Sequence, residues 1–324
     1  MEQADKPEKK LTIFITIDTE DAYFTTPRLI TGEGLPEQPG IGKIMDIMDH
    51  HCVKGNFFLD VYDVKYDPAL LQKIARNIHL RGHEVELHTH PSGNLPFYSK
   101  PIYRYSLREQ IDILEYGKKF IAEHTGSSPI AHRGGSYAIN ENTLYALSEI
   151  GLPIDSSVFH QHPNNNLGEI PTTNKTISYY NTIEIPVTYV KIISKTGELL
   201  KSKFDLDWLS YDELVKVIQL AKAHGLRKMT LFLHSFSFIN KKTKPAAAPE
   251  NPSALYRDKS SGGTVYCEIY GTDYADISSF DRLLHYMTSD PEIEVTTFKD
   301  WYARNKNEAP GEDFIPVIDR LIKS

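Results

Sequence analysis

Short apolar or alternating runs recur along this chain with helical-period segments between them, and no other feature constrains the fold as strongly. The strand candidates are Leu11 to Asp18, Val53 to Asp60, Glu84 to His90, Pro129 to Arg133, Pro153 to Val158, Thr182 to Val190, Lys228 to His234 and Ile293 to Phe298. Between the first two, Ile41, Ile44, Met45 and Met48 fall at helical spacing; Leu70, Leu71, Ile74, Ala75 and Ile78 do so in the next gap. Ser106 to Glu123 repeats the pattern, with Ser106 and Glu109 spaced as a capping box. Asn140 to Glu149, Tyr211 to Ala223 and Asp276 to Met287 also read as helices, and Ile315 to Ile322 as a terminal one. Parallel strands need a crossover, so repeated strand–helix units predict a parallel sheet with helices outside. The eight candidates predict an α/β chain folded as a (β/α) barrel. Phe159 to Asn181 is polar and has no helical period, so the barrel is expected to be irregular or incomplete.

A flexible N-terminus, 1–10, is expected to precede one barrel domain over 11–324. Tyr23 to Pro39 reads as a long loop after the first strand. Asn240 to Tyr274, rich in Pro and Gly, reads as a rim insertion at about 240–275. The net charge of −7 argues against nucleic acid as a partner, since polyanions need a basic surface. No apolar run reaches the length of a membrane span. Met1 to Lys10 lacks an apolar signal core, and Cys52 and Cys267 are too few and too far apart for a disulfide framework. A reduced, cytoplasmic location is the simplest expectation. Oligomeric state is not set by these features.

The chemistry concentrates where strands end. Residues two apart on a strand share a face, so Asp18 with Glu20, and His88 with His90, each point one way. Two imidazoles and a carboxylate are the ligand set of an open catalytic zinc site, and a second carboxylate beside them can act as a general base. In barrels of this kind the C-terminal strand ends line the active site. Arg133, Asp155 and His234 end further strands, and one rim is expected to gather the whole set. A metal-dependent hydrolase follows from that pattern.

These segments resemble, in order and spacing, the NodB-homology polysaccharide deacetylases. The likeness runs from about Leu11 to about Phe298 and is carried by Thr16-Ile17-Asp18-Thr19-Glu20-Asp21, Asn56-Phe57-Phe58, Gly82-His83-Glu84 leading to His88-Thr89, Ala131-His132-Arg133-Gly134-Gly135-Ser136-Tyr137, Asp155-Ser156-Ser157 and Leu231-Phe232-Leu233-His234. There are departures. The family's second motif has two His residues four apart, whereas position 92 here is Ser, and His90 is the substitute. The Asp that usually follows the base is Thr19 here; Glu20 is the better-placed ligand and Asp21 its competitor. The aromatic of the third motif comes one residue late, at Tyr137, or Ser136 takes its place. A divergent branch is the expectation.

The resemblance implies hydrolysis of N-acetyl groups on a sugar or glycan, with one divalent ion, zinc being the expected one. Glu20, His88 and His90 would hold the ion, Asp18 would take the proton of the attacking water, and His234 would protonate the leaving amine. Arg133 would orient Asp18. Ser136 and Tyr137 would meet the substrate through backbone N–H groups. Asp155 would either orient His234 or cap the loop at Ser156-Ser157. Glu86 is expected to pair with Arg133 inside the barrel, and His50, His51 and His83 to be solvated. His160 and His162 read as incidental. Tyr256, Tyr266, Tyr270 and Tyr274 suit a sugar-facing lid. The same scaffold also hydrolyses cyclic amides, the enzymatic alternative; a catalytically inactive carbohydrate-binding homologue is the other. Asp18, Arg133 and His234, none needed merely to hold metal, argue against the latter.

Overall fold

The computed structural model describes residues 10–21, 28–62, 68–91, 100–168, 173–245, 255–257, 264–305 and 313–320, with the backbone alone at 242–245, 255–257, 264–268 and 270. Its main sheet has nine strands: β1 (Leu11–Thr19), β2 (Asn56–Asp60), β3 (Glu84–Thr89), β4 (Ala131–Gly134), β5 (Ile154–Asp155), β6 (Ile177–Tyr179), β7 (Thr182–Glu184), β8 (Lys228–His234) and β9 (Ile293–Val295). The order is β8-β1-β2-β3-β4-β5-β7-β6, with β9 added on the lower half of β1. Every pairing is parallel except that of β6 with β7. Besides a single helical turn at Arg28–Thr31, inside the segment expected as a loop, the helices are α1 (Ile41–His50), α2 (Pro68–Leu80), α3 (Leu107–Thr125), α4 (Glu141–Glu149), α5 (Tyr211–Ala223), α6 (Tyr274–Ser289) and α7 (Phe298–Asn305).

Strand alternation divides each strand between two cores. On β1, Ile13, Ile15 and Ile17 pack outward with Ile44, Met45 and Met48 of α1 and with Ile74 and Ile78 of α2. Phe14 points inward and joins Phe58, Ala131 and Ile154, one residue each from β2, β4 and β5. Phe298 and Trp301 of α7 close that interior from below, stacked and edge-on against Phe14 at 4.5 and 5.9 Å. The next inward positions up β1 are Thr16 and then Asp18, so the site is floored by aromatic rings. Capping fixes the outer helices: Ser106 with Glu109 starts α3, Gly126 ends it in the left-handed region at φ 74°, and Ser210 with Glu213 starts α5.

The sheet curls without closing by a ladder between β7 and β8. Thr188 and Thr230 exchange reciprocal bonds instead, each backbone N–H donating to the other hydroxyl at 3.0 and 2.8 Å. Phe204 threads the gap, its N–H donating to Thr188 O and its carbonyl accepting from Phe232 N, both at 2.9 Å. This seam is the irregularity expected of the barrel, and no helix occurs among the described residues of 159–181.

Two expectations fail locally. Thr182 to Val190 is not one strand: β7 ends at Glu184, and Tyr189–Ile193 joins a separate sheet between Leu199–Lys203 and Val317–Asp319. The last of these lies where a terminal helix was expected. The apolar positions of Ile315 to Ile322 fit either period over so short a run, and an open strand edge decides for β. Within the 240–275 insertion, Ile239–Pro245, Thr264–Thr272 and Leu255–Arg257 form an antiparallel sheet. The side chains of Tyr256, Tyr266 and Tyr270 lie outside the described residues, as do 1–9 and 22–27; Tyr274 is exposed at the start of α6.

Candidate active site

Parallel register brings the strand ends together. Asp18 lies opposite His234 on β8, and His88 opposite Arg133 on β4. Glu20 continues the inward face of β1 and His90 that of β3. Their ligand atoms converge: Glu20 Oε2 is 2.9 Å from His90 Nε2 and 3.3 Å from His88 Nε2. All three offer atoms within 4.8 Å of one another, and they are the one such group among the described residues. Asp21, the alternative to Glu20, is outside it. Thr19 is turned away, its hydroxyl donating to Ile17 O at 3.2 Å.

The donor set fits a divalent ion. His88 Nδ1 bonds the Arg133 carbonyl at 3.0 Å, which requires the proton on Nδ1 and, in the neutral ring, leaves a lone pair on Nε2. That Nε2 is buried, makes no hydrogen bond, and also lies 3.8 Å from Asp18 Oδ2. An orphaned buried imidazole nitrogen facing a carboxylate and a second imidazole is an arrangement a metal ion satisfies. Burial opposes the charge of Glu20, but His90 and then His88 outweigh it and hold the carboxyl well below its ordinary range. Burial likewise opposes a charged His88, and Asp18 and Glu20 raise it. Gly135 is required beside this cluster, because a Cβ there would overlap the His90 ring.

Arg133 is fully buried and spends its donors on Asp18 Oδ1 at 2.8 Å, Ser156 O at 2.9 Å and Ser156 Oγ at 3.0 Å. Its guanidinium lies between rings, 4.3 Å from the centroid of Phe58 and 4.7 Å from that of Phe232. Glu86 does not pair with it. Register sets Arg133 level with His88, one inward position above Glu86, so Glu86 takes the backbone N–H groups of Ile130 and Ala131 at 2.9 and 2.7 Å. Burial pushes the Glu86 carboxyl up to about 8.

Asp155 does not reach His234. It lies opposite His132, and because Arg133 points inward His132 points outward and takes Asp155 with it. The pair closes at 2.6 Å, and Asp155 also accepts from the Ser157 N–H and hydroxyl, so the loop-capping alternative is the one realised. The carboxylate on His234 is Asp207, 3.1 Å from Nδ1. Burial works against the Asp207 charge, yet the bond and charge of His234 hold it far below the usual carboxylate range. The other face of His234 stacks on Phe236, 4.7 Å between centroids at 12°.

Asp207 was missed because it follows no sequence-legible strand. The signal was Lys203-x-Asp205-x-Asp207, charges two apart along the seam. One parallel bridge, Asp205 to Phe232, sets Asp207 level with His234.

Ser136 and Tyr137 turn the chain away from β4 with φ of 52° and 59°, left-handed values that cost non-glycine residues about 1–3 kcal/mol each. Asn164 and Asn165 hold the turn by donating to their carbonyls at 2.9 and 2.6 Å. Ser136 is exposed and Tyr137 half-buried. His162 packs on Tyr137 and His160 on Tyr189, each with rings 4.8 Å apart, and neither joins a metal cluster. His83 is buried rather than solvated, its Nδ1 accepting from Gly55 N–H at 3.3 Å. His51 pairs with Asp281 at 2.8 Å.

A sequence model of the polysaccharide deacetylase family matches residues 5–154, the stretch that carries Asp18, Glu20, His88, His90 and Arg133 but neither Asp207 nor His234. No curated protein matches the chain by sequence. Among solved structures, a protein from Mycobacterium smegmatis assigned as a polysaccharide deacetylase aligns with a TM-score of 0.56 at 15% identity, over 96% of each chain. The Bc1960 peptidoglycan N-acetylglucosamine deacetylase aligns with a TM-score of 0.47 at 14% identity, over 93% of this chain and 92% of its own. At these identities the first likeness speaks to the fold.

Proposed function

We propose, from the premise that the chain belongs to the polysaccharide deacetylase family, that it is a metal-dependent hydrolase removing N-acetyl groups from a carbohydrate. The observation that carries the reading is the meeting of Glu20, His88 and His90 beside an Asp18–Arg133 pair, with His88 Nε2 buried and unbonded. A divalent ion held by those three residues, zinc by the preference of a mixed N/O set, would supply Lewis-acid polarisation of the acyl oxygen and a more acidic water. Asp18 takes the proton of the water that attacks the acyl carbon, and Arg133 fixes the oxygen of Asp18 that it binds. His234 delivers a proton to the nitrogen as the C–N bond breaks; Asp207 holds Nδ1 and so leaves Nε2 for the substrate. The products are acetate and a free amine on the sugar.

Metal content of purified wild type and His90→Ala, followed by acetate release from N-acetylated sugars, tests the reading. One equivalent of zinc, lost in the variant, with acetate released by wild type alone, is the expected result. A wild type that takes up no divalent metal, or that takes it up and cleaves no N-acetyl sugar, would overturn it.

A further inference from the structure

Lys203 is a buried charge to which the reaction above gives no task. Its side chain is 7% exposed, and its ammonium lies 2.7 Å from Asp205 Oδ2 and 3.5 Å from the Phe232 ring centroid. The ammonium also donates to the Tyr137 hydroxyl at 2.9 Å. Asp205 in turn accepts the Asp207 N–H at 2.6 Å, and Asp207 holds His234. Lys203 therefore ties the turn after β4 to the carboxylate that orients His234. Phe232 is the common floor, 6.1 Å from the Tyr137 ring, 5.1 Å from His234 and 4.7 Å from the Arg133 guanidinium that binds Asp18.

The direction of one bond matters here. An ammonium has donors and no lone pair, so the Tyr137 oxygen must accept from it. The phenol proton then points elsewhere, and no acceptor for it stands among the described residues. Burial raises the Tyr137 hydroxyl above its ordinary range, with Lys203 opposing and Asp18 and Asp205 adding, so the proton stays on at neutral pH. Tyr137 is half-buried at the cleft. Donation from a cation also polarises the phenol and strengthens it as a donor.

We propose that the Tyr137 hydroxyl donates a hydrogen bond to an acceptor oxygen of the substrate, and that Lys203 is the positioning residue that aims it. The assignment rests on the deacetylase reading, and it concerns the side chain of Tyr137 in addition to its backbone.

The test uses zinc-loaded wild type, Tyr137→Phe, Lys203→Met, Lys203→Arg and the Tyr137→Phe/Lys203→Met double variant, with N-acetylglucosamine oligomers as the probe. Tyr137→Phe keeps the Lys203–Asp205 pair and so tests the hydroxyl without a folding risk. It should lower kcat/KM about tenfold to a hundredfold at unchanged zinc content, the scale of a lost donor to developing charge. A fall in kcat alone assigns the acceptor to the acyl oxygen, and a rise in KM alone to a sugar hydroxyl; both support the contact. Lys203→Met should match that loss, add less than about threefold in the Tyr137→Phe background, and be partly rescued by Lys203→Arg. Full activity of Tyr137→Phe overturns the proposal. So does a Lys203→Met effect undiminished in the double variant, which would place its action on Asp205 alone. Calorimetric binding of the same oligomers separates this result from the parent reading. If wild type released no acetate, the deacetylase reading would fall. Binding weakened at least fivefold in Tyr137→Phe would then still support the hydroxyl contact, and equal binding would overturn it.

Discussion

Gly135→Ala should remove metal without removing the fold. The added Cβ would overlap three atoms of the His90 ring, and no other residue is among its nearest contacts. Gly135 is not among the positive-φ residues, so its backbone accepts alanine and the clash falls on His90. Relief to an ordinary carbon contact of about 3.5 Å moves the ring by roughly 1 Å. Metal–ligand distances tolerate about 0.2 Å, so His90 Nε2, now 2.9 Å from Glu20, leaves the cluster. Loss of a supporting residue behind a ligand costs about tenfold to a hundredfold in metal affinity, and loss of the ligand should reach at least the upper figure. Overpacking should cost about 1–3 kcal/mol of stability. Chelator competition would read the zinc affinity and urea unfolding the stability of the same sample. Gly134→Ala is the control: its Cβ meets the backbone of Ala138, so it should cost stability through the turn rather than through His90. Zinc affinity in Gly135→Ala within threefold of wild type would refute the reasoning, since His90 would then be no ligand.

Further outcomes are expected. Asp207→Asn should lower kcat by about a hundredfold to ten-thousandfold at unchanged zinc content. Asp155→Asn should leave kcat within a few fold and cost about 1.5–3 kcal/mol in urea unfolding, because its partner is His132. Arg133→Met should destabilise by about 3–5 kcal/mol, measured the same way, because it strands Asp18 and Ser156 in the interior. His83 gives a pH signature. Burial, aided by the Lys54 charge, pushes its imidazole down to about 4. The unfolded chain therefore binds the extra proton first, stability is full above about pH 6.5, and up to about 3 kcal/mol is lost as pH falls towards 4. Urea unfolding of His83→Gln at pH 7 and pH 4.5 should show a smaller fall than wild type, and an equal fall would refute the assignment.

How much was legible follows from which rule each residue obeys. Period-two alternation ending in a polar group identified Asp18, Glu20, His88, His90, Arg133 and His234, because buried parallel strands leave their apolar run abruptly at the rim. The same rule misplaced Asp155, since facing depends on which residue pairs with which neighbour. It sits opposite His132, and that register is a tertiary fact. Asp207 escaped because its segment makes a single bridge to β8 rather than a ladder, leaving no apolar run to count. His83 looked like a turn residue and directly follows a turn, but Asp49, Lys54 and Phe57 enclose it from a helix, a loop and a strand that come earlier in the chain. The open edge beside Tyr189–Ile193 recruited Val317–Asp319 from more than a hundred residues away, beyond the reach of any local pattern.

The seam between β7 and β8 gives the two walls of the cleft different mechanical character. The wall that gathers Glu20, His88 and His90 is braced by unbroken ladders from β1 through β4. The wall bearing Lys203, Asp205 and Asp207 is moored to β8 by one bridge, a pair of threonine hydroxyls and a few backbone bonds. One wall joins the sheet by continuous ladders, and the other joins β8 by isolated bonds. Under the proposed reading, substitutions along the wall of Lys203, Asp205 and Asp207 would re-aim His234 while the ladders hold Glu20, His88 and His90 in place. Under the same reading, substitutions at residues 203–208 would alter the choice of acyl group or sugar without disturbing Glu20, His88 and His90.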